Sequence, residues 1–109
     1  MHELNLIRHI VHIVSERANG SKVTQVTLEV GKLSAVTPNA IRLGFDLATR
    51  GTPLEGARLD IIEIPGLGRC RICGQNVPMN QLVERCPCGS VDLDLIAGEE
   101  LTITQIVTI

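Results

Sequence analysis

The sequence predicts an α/β (α+β) fold: a small, mainly antiparallel sheet of about three strands, two helices, and an inserted cysteine-bearing domain. Three observations lead there. Apolar residues recur with a helical period near the start, and again after Thr37-Pro38. They alternate with polar residues over 23–30 and 57–64, and strand-forming residues return over 101–109. All four cysteines fall between the second and the last of these strand segments.

Residues 3–18 carry Leu4, Ile7, Val11 and Val14 at helical spacing, with Leu6, Ile10 and Ile13 widening the stripe. Asn19-Gly20 stops this helix, because both residues tolerate the left-handed backbone of a helix end. In 23–30, Val26, Leu28 and Val30 face one way and Gln25, Thr27 and Glu29 the other. A second helix begins with Thr37 as N-cap and Pro38 at its first position. It shares Ile41, Phe45 and Ala48 on one face and closes by Gly51. Residues 57–64 form the next strand, framed by Pro53 and Gly56 before it and Pro65 and Gly66 after it.

Composition changes at Pro65. From there to Gly98 the chain is rich in turn residues and poor in core-forming runs. The last strand, 101–109, is too little to stand alone, so it joins the sheet of the first two strands. The expected organisation is one domain of residues 1–64 completed by 99–109, and a second of residues 65–98.

Composition limits the function classes. The chain has 109 residues, 44% of them hydrophobic, enough for a core. Only 1% are aromatic, all of it Phe45, so the core is aliphatic. The net charge is −2, without the basic face or stacking aromatics of a nucleic-acid binder, so nucleic acid is not an expected partner. No apolar run reaches the roughly 18 residues of a membrane span, and the start lacks a signal peptide's basic and apolar blocks. The expectation is a cytoplasmic protein with no membrane partner, where thiols stay reduced and clustered cysteines read as metal ligands.

The cysteines run Cys70-Arg71-Ile72-Cys73 and, after a hairpin-length spacer, Cys86-Pro87-Cys88. Two close pairs are how a chain offers four thiolates to a tetrahedral zinc. Gly74 and Gly89 follow the pairs and let backbone N–H groups turn toward sulfur. A redox Cys-x-x-Cys opens a helix, whereas these flanks are turn-like. A segment this size lacks the core to fold unaided, and zinc ligation supplies about 10–16 kcal/mol of apparent binding energy. With all four positions filled by protein, the zinc is structural, and four thiolates around it move the charge to about −4.

The other candidate site is the terminus. Met1 offers an α-amine beside the His2 imidazole and the Glu3 carboxylate. A d⁸ ion such as Ni²⁺ favours planar nitrogen donors. The plain alternative is a solvated terminus with Glu3 favouring the helix dipole. His9 and His12 share a helix face and could also hold metal, though solvated histidines are commoner. Leu6 stands where a zincin needs its second histidine, and no deaminase signature or phosphate-binding glycine loop is present. Glu99-Glu100 reads as a solvated turn. Asp92 and Asp94 alternate with Leu93 and Leu95 as a short exposed strand edge would.

Met1-His2-Glu3-Leu4, Cys-x-x-Cys followed by Cys-Pro and Cys-Gly-Ser, and Gly98-Glu99-Glu100-Leu101 before the last strand together resemble the HypA/HybF nickel metallochaperones of hydrogenase maturation. The resemblance covers the whole chain. It implies a non-enzymatic protein that binds Ni(II) transiently at His2, with the Met1 amine and neighbouring backbone, and with Glu3 in support. It implies structural Zn(II) on Cys70, Cys73, Cys86 and Cys88. Its implied partners are a HypB-type GTPase and the hydrogenase large subunit, and some members also serve urease. The first domain is then the nickel-binding one. One departure stands out: the family's second pair is Cys-Pro-x-Cys, one residue longer than Cys86-Pro87-Cys88. The alternative function is a zinc-stabilised protein-interaction adaptor that transfers no nickel.

Overall fold

The computed structural model describes residues 2–109, with side chains from Asn5 onward. Helix α1 spans His2–Ala18, followed by strand β1 (Val23–Gly31), helix α2 (Pro38–Ala48) and strand β2 (Arg58–Ile64). Then come β3 (Gly66–Cys70), β4 (Asn76–Met79), β5 (Leu93–Ala97) and β6 (Leu101–Thr108). Both expected helices and all three expected strands are present. The cysteine segment adds a second three-stranded sheet of its own.

The first sheet has the order β2-β1-β6. Between β1 and β6 the bonded positions run in opposite directions: Gly31 N donates to Glu100 O at 2.7 Å, and Ile109 N to Lys22 O at 3.1 Å. That pair is antiparallel. Between β1 and β2 the partners ascend together: Gln25 bonds Asp60, and Lys32 N donates to Ile64 O at 2.9 Å. A parallel pair needs a crossover of about a dozen residues or more, and α2 lies within it.

The chain forms two compact units. The first holds residues up to Leu28, Val36–Ile62 and Thr102–Ile109. Its core is aliphatic around one aromatic: Ile7 and Val14 of α1, Val26 and Leu28 of β1, Ile41 and Phe45 of α2, all at most 2% exposed. Burying each such side chain contributes about 1.5–3 kcal/mol. Leu6, expected on this stripe, is 40% exposed because its position turns to the helix flank. Thr37 caps α2, its Oγ1 accepting from Ala40 N at 3.2 Å, with Pro38 at the first helical position. Asn19 (φ 50°) and Gly20 (φ 87°) turn the chain out of α1. Leu54, fully buried, anchors the loop between α2 and β2, where Pro53 O accepts from Val23 N at 2.9 Å.

The second unit holds Glu29–Ala35 and Glu63–Leu101. Its sheet has the order β4-β3-β5 and is antiparallel throughout, with Gly66 opposite Met79, Arg69 opposite Asn76 and Cys70 opposite Leu93. A bulge lies between Leu67 and Gly68 on the β5 side. Pro78 is tolerated because β4 is an edge strand. The stretch after β1 joins this unit through the backbone: Leu33 N donates to Gly98 O at 2.7 Å. Gly98 adopts φ +118°, a conformation open mainly to glycine.

Candidate metal centre

The cysteine loops are two hairpins of one design. In the first, Cys70 N donates to Gln75 O at 2.9 Å and Gly74 N to Cys70 O at 2.9 Å. In the second, Cys86 N donates to Ser90 O at 2.8 Å and Gly89 N to Cys86 O at 2.8 Å. Every bond in the second loop closes one residue sooner, so the shortened Cys86-Pro87-Cys88 pair is a contracted copy of its partner. Both glycines have positive φ, 77° at Gly74 and 98° at Gly89.

Each loop contributes one buried and one exposed thiol. Cys70 is 2% and Cys86 1% exposed, while Cys73 and Cys88 face solvent. The loops interlock crosswise: Cys70 Sγ lies 3.7 Å from Cys88 Sγ, and Cys73 Sγ 3.5 Å from Cys86 Sγ. All four sulfurs lie within 4.8 Å of one another, and among the described residues this is the one group of three or more potential ligands. A disulfide would bring sulfurs to about 2.05 Å. Zn–S bonds of about 2.3 Å place tetrahedral sulfurs about 3.8 Å apart, so the observed spacing fits one Zn²⁺ with no open coordination position. The shortened pair does not prevent the set from assembling.

The surroundings favour thiolate at Cys70. Its sulfur accepts N–H bonds from Ile72 at 3.4 Å and Cys73 at 3.5 Å. The Cys73 N–H is the largest influence. With help from Ile72 and the neighbouring thiols it outweighs burial and lowers Cys70 to about 6. At Cys86 the Cys88 N–H pulls the same way, but desolvation and three neighbouring thiols outweigh it and raise Cys86 to about 12. Four thiols this close repel as anions, and a divalent cation relieves that repulsion.

Residues outside the sulfur set brace it. Arg71, within the first loop, donates to Asp94 Oδ1 of β5 from Nε at 2.7 Å, and its backbone N–H donates to Asp92 O at 2.9 Å. Asp92 Oδ1 lies 3.7 Å from Arg71 Nε. Arg85 Nη1 donates to Gly89 O at 2.7 Å and holds the second loop. The sequence signalled Asp92 and Asp94 only as a polar strand edge; nothing in it paired them with Arg71. The core beneath is small, Cys70, Val77 and Cys86 with Leu93 packed against them.

His2 and Glu3 belong to α1 by their backbone, but their side chains and the Met1 amine lie outside the described atoms. His9 and His12 are both exposed on α1.

Two helices, a small mixed sheet and an inserted pair of two-cysteine loops define an α+β protein with a four-thiol cluster that fits a structural zinc site. Residues 1–108 match the family described as hydrogenase/urease nickel incorporation, metallochaperone, HypA. The chain belongs to the HypA family. The hydrogenase maturation factor HypA of Nostoc punctiforme is 58% identical over 106 residues, covering 97% of this chain and 94% of that one. The HypA of Geotalea daltonii is 48% identical over 104 residues, covering 94% of each. Two solved structures share the fold. The nickel metallochaperone HypA from Helicobacter pylori has a TM-score of 0.70 at 20% identity, covering 97% of this chain and 96% of its own. A further HypA solution structure has a TM-score of 0.72 at 22% identity, covering 100% and 97%.

Proposed function

We propose that this protein is a nickel metallochaperone that binds Ni(II) at its N-terminus and hands it to a hydrogenase during maturation. The observation that carries the reading is the family match over residues 1–108, on a chain that opens Met1-His2-Glu3. The His2 imidazole, the Met1 amine and adjacent backbone nitrogens supply the planar donors that Ni²⁺ favours, with Glu3 beside them. A site with few ligands permits release by ligand exchange, which a carrier requires.

In this reading residues 1–64 with 99–109 form the nickel-binding domain and 65–98 the zinc-binding domain. All four cysteines falling within one compact unit supports that division. Cys70, Cys73, Cys86 and Cys88 hold one structural Zn²⁺, and the protein is not an enzyme. It works in the cytoplasm with a HypB-type GTPase and delivers to the hydrogenase large subunit, or to urease through its accessory proteins. No described helix is long and apolar enough to cross a membrane.

The test is a Ni²⁺ titration of untagged protein and of His2→Ala, followed by d–d and charge-transfer absorbance. The absorbance should develop in the parent and be lost in His2→Ala. Superimposable titrations would sink the N-terminal site and favour the zinc-stabilised adaptor.

A further inference from the structure

Asn19-Gly20 is the one place where an asparagine of this chain is followed by glycine. The pair leads from the end of α1 toward β1, and both residues are exposed. Both have positive φ, 50° at Asn19 and 87° at Gly20. The turn is tied on either side of Gly20. Asn19 N donates to Glu16 O at 3.3 Å, and Ser21 N to Ala18 O at 3.0 Å. Among the described residues, nothing accepts from Gly20 N. A Cβ at Gly20 would meet no atom within 4 Å, so that side of the residue is open. Asn39 shows the contrast: the amide that follows it, Ala40 N, donates to Thr37 Oγ1 at 3.2 Å in the first turn of α2.

We propose that Asn19 is a site of spontaneous modification, at which its carboxamide closes on Gly20 N to a succinimide and opens to aspartate or isoaspartate. Gly20 N attacks Asn19 Cγ and forms the new C–N bond of a five-membered imide. Its proton passes to water or hydroxide. The Cγ–Nδ2 bond breaks, and Nδ2 takes a proton from solvent and leaves as ammonia. Water then adds at one of the two imide carbonyls. Breaking the bond between Gly20 N and Cγ gives aspartate. Breaking the bond between Gly20 N and the Asn19 main-chain carbonyl carbon leaves the chain running through Cγ, as isoaspartate. No group is oxidised or reduced. Glycine favours the closure because it sets no side chain against the ring and turns freely. Closure rotates Asn19 about its Cα–C bond, which opens the Ser21–Ala18 bond of an exposed turn; the Gly20 amide has no bond to give up. Either product adds a carboxylate at the C-terminal end of α1, where the helix dipole disfavours an anion and Arg17 is the cation of the last turn. Isoaspartate also adds a methylene to the main chain. Ala18, 7% exposed, and Val23, fully buried, hold the two ends of the connection, so the added length falls on residues 19–22. The site is independent of the nickel reading.

The experiment ages full-length, zinc-loaded protein in mildly alkaline and in mildly acidic buffer. It is read by isoelectric focusing, by peptide mass mapping, and by labelling with an isoaspartyl methyltransferase. A form with one more negative charge should accumulate, faster in the alkaline buffer where the attacking amide is more readily deprotonated. The change should map to Asn19, with methyl-accepting isoaspartate there, and amide resonances at 17–23 should move with it. Asn19→Gln, whose longer side chain would have to close a six-membered ring, should lose most of the acidic form. Gly20→Ala should do the same, but alanine at φ 87° strains the turn, so ¹H–¹⁵N NMR checks that α1 and β1 keep their resonances in both variants. Asn19 left intact in the folded protein while urea-unfolded protein converts it would overturn the proposal. So would an acidic form that maps to another residue or persists unchanged in Asn19→Gln.

Discussion

Gly89 closes the second cysteine loop on Cys86 at 2.8 Å, one residue sooner than Gly74 closes the first on Cys70 at 2.9 Å. The contraction has a conformational cost. Gly89 sits at φ +98°, beyond the left-handed basin that other residues reach, whereas Gly74 at φ +77° lies nearer its edge. Neither Cβ position meets an atom within 4 Å, so backbone strain alone decides the effect of a substitution. Gly89→Ala should cost about 1–3 kcal/mol and Gly74→Ala less. Competition with a chromophoric chelator should show zinc retention falling in that order, and equal losses would contradict the strain argument.

Metal removal should act on one unit alone. The small core of Cys70, Val77 and Cys86 cannot hold β3, β4 and β5 together without its ion, whereas the first unit has its own aliphatic core. Chelation should therefore collapse the amide dispersion of residues in β3–β5 while α1 and α2 keep theirs. Purified protein should carry about one zinc, with thiols shielded from alkylation until the chelator is added. Reactive thiols in the zinc-loaded protein would instead point to redox use of the cysteines.

Within the centre, burial should separate the ligands. Cys70→Ser removes a ligand and also a core side chain that is 2% exposed, while Cys73→Ser removes a ligand at the surface. Cys70→Ser should lose the second sheet even at saturating zinc. Cys73→Ser should recover it there, water taking the missing position, as a zinc titration followed by NMR would reveal.

The contrast between the two sheets explains what the sequence could reveal. β1, β2 and β6 are rich in Val, Ile and Leu, α1 has a regular apolar face that stops at Asn19-Gly20, and α2 has its Thr37 cap, so period and punctuation marked them. β3 reads Gly-Leu-Gly-Arg-Cys and β4 contains Pro78, compositions that resemble a loop. They are strands because the metal loops at their ends fix the chain, and because Gly66 and Gly68 allow neighbours to approach closely. A Cβ on Gly68 would come within 2.5 Å of the Met79 sulfur. The four-cysteine cluster was legible because thiol spacing is local. The Arg71–Asp94 brace was not, because it joins residues 23 apart in sequence across a strand pairing that had no signal.

That brace makes the knob sensitive to acid. Hydrogen bonding to Arg71, and then its charge, hold the Asp94 carboxyl below its ordinary range against partial desolvation. A carboxylate lowered in the folded state contributes stability that is fully present above its unfolded value. The contribution is lost as pH falls through the folded value. The pair is more than half exposed, so its effect is small and screened by salt. In Arg71→Ala, the Asp94 side-chain carbon should titrate at higher pH than in the parent by NMR. An identical titration midpoint would mean that the contact does not persist in solution.

Two crowded glycines should respond unequally to alanine. A Cβ on Gly31 would run into the carbonyl of Gly98 and lie 2.5 Å from Glu99 N, all backbone in a hydrogen-bonded crossing that cannot step aside. A Cβ on Gly44 would meet Ile7 Cδ1, the free end of a side chain with other rotamers. Gly44 also lies inside α2, where alanine is worth about 0.5–1 kcal/mol over glycine, offsetting the cost of moving Ile7. Gly31→Ala should therefore destabilise by at least the roughly 1–3 kcal/mol of an overpacked site, since backbone rather than side chain must shift. Gly44→Ala should stay within about 1 kcal/mol of the parent. Urea midpoints of the zinc-loaded proteins decide the matter. A Gly44→Ala loss equal to that of Gly31→Ala would show that Ile7 is as rigid as the backbone.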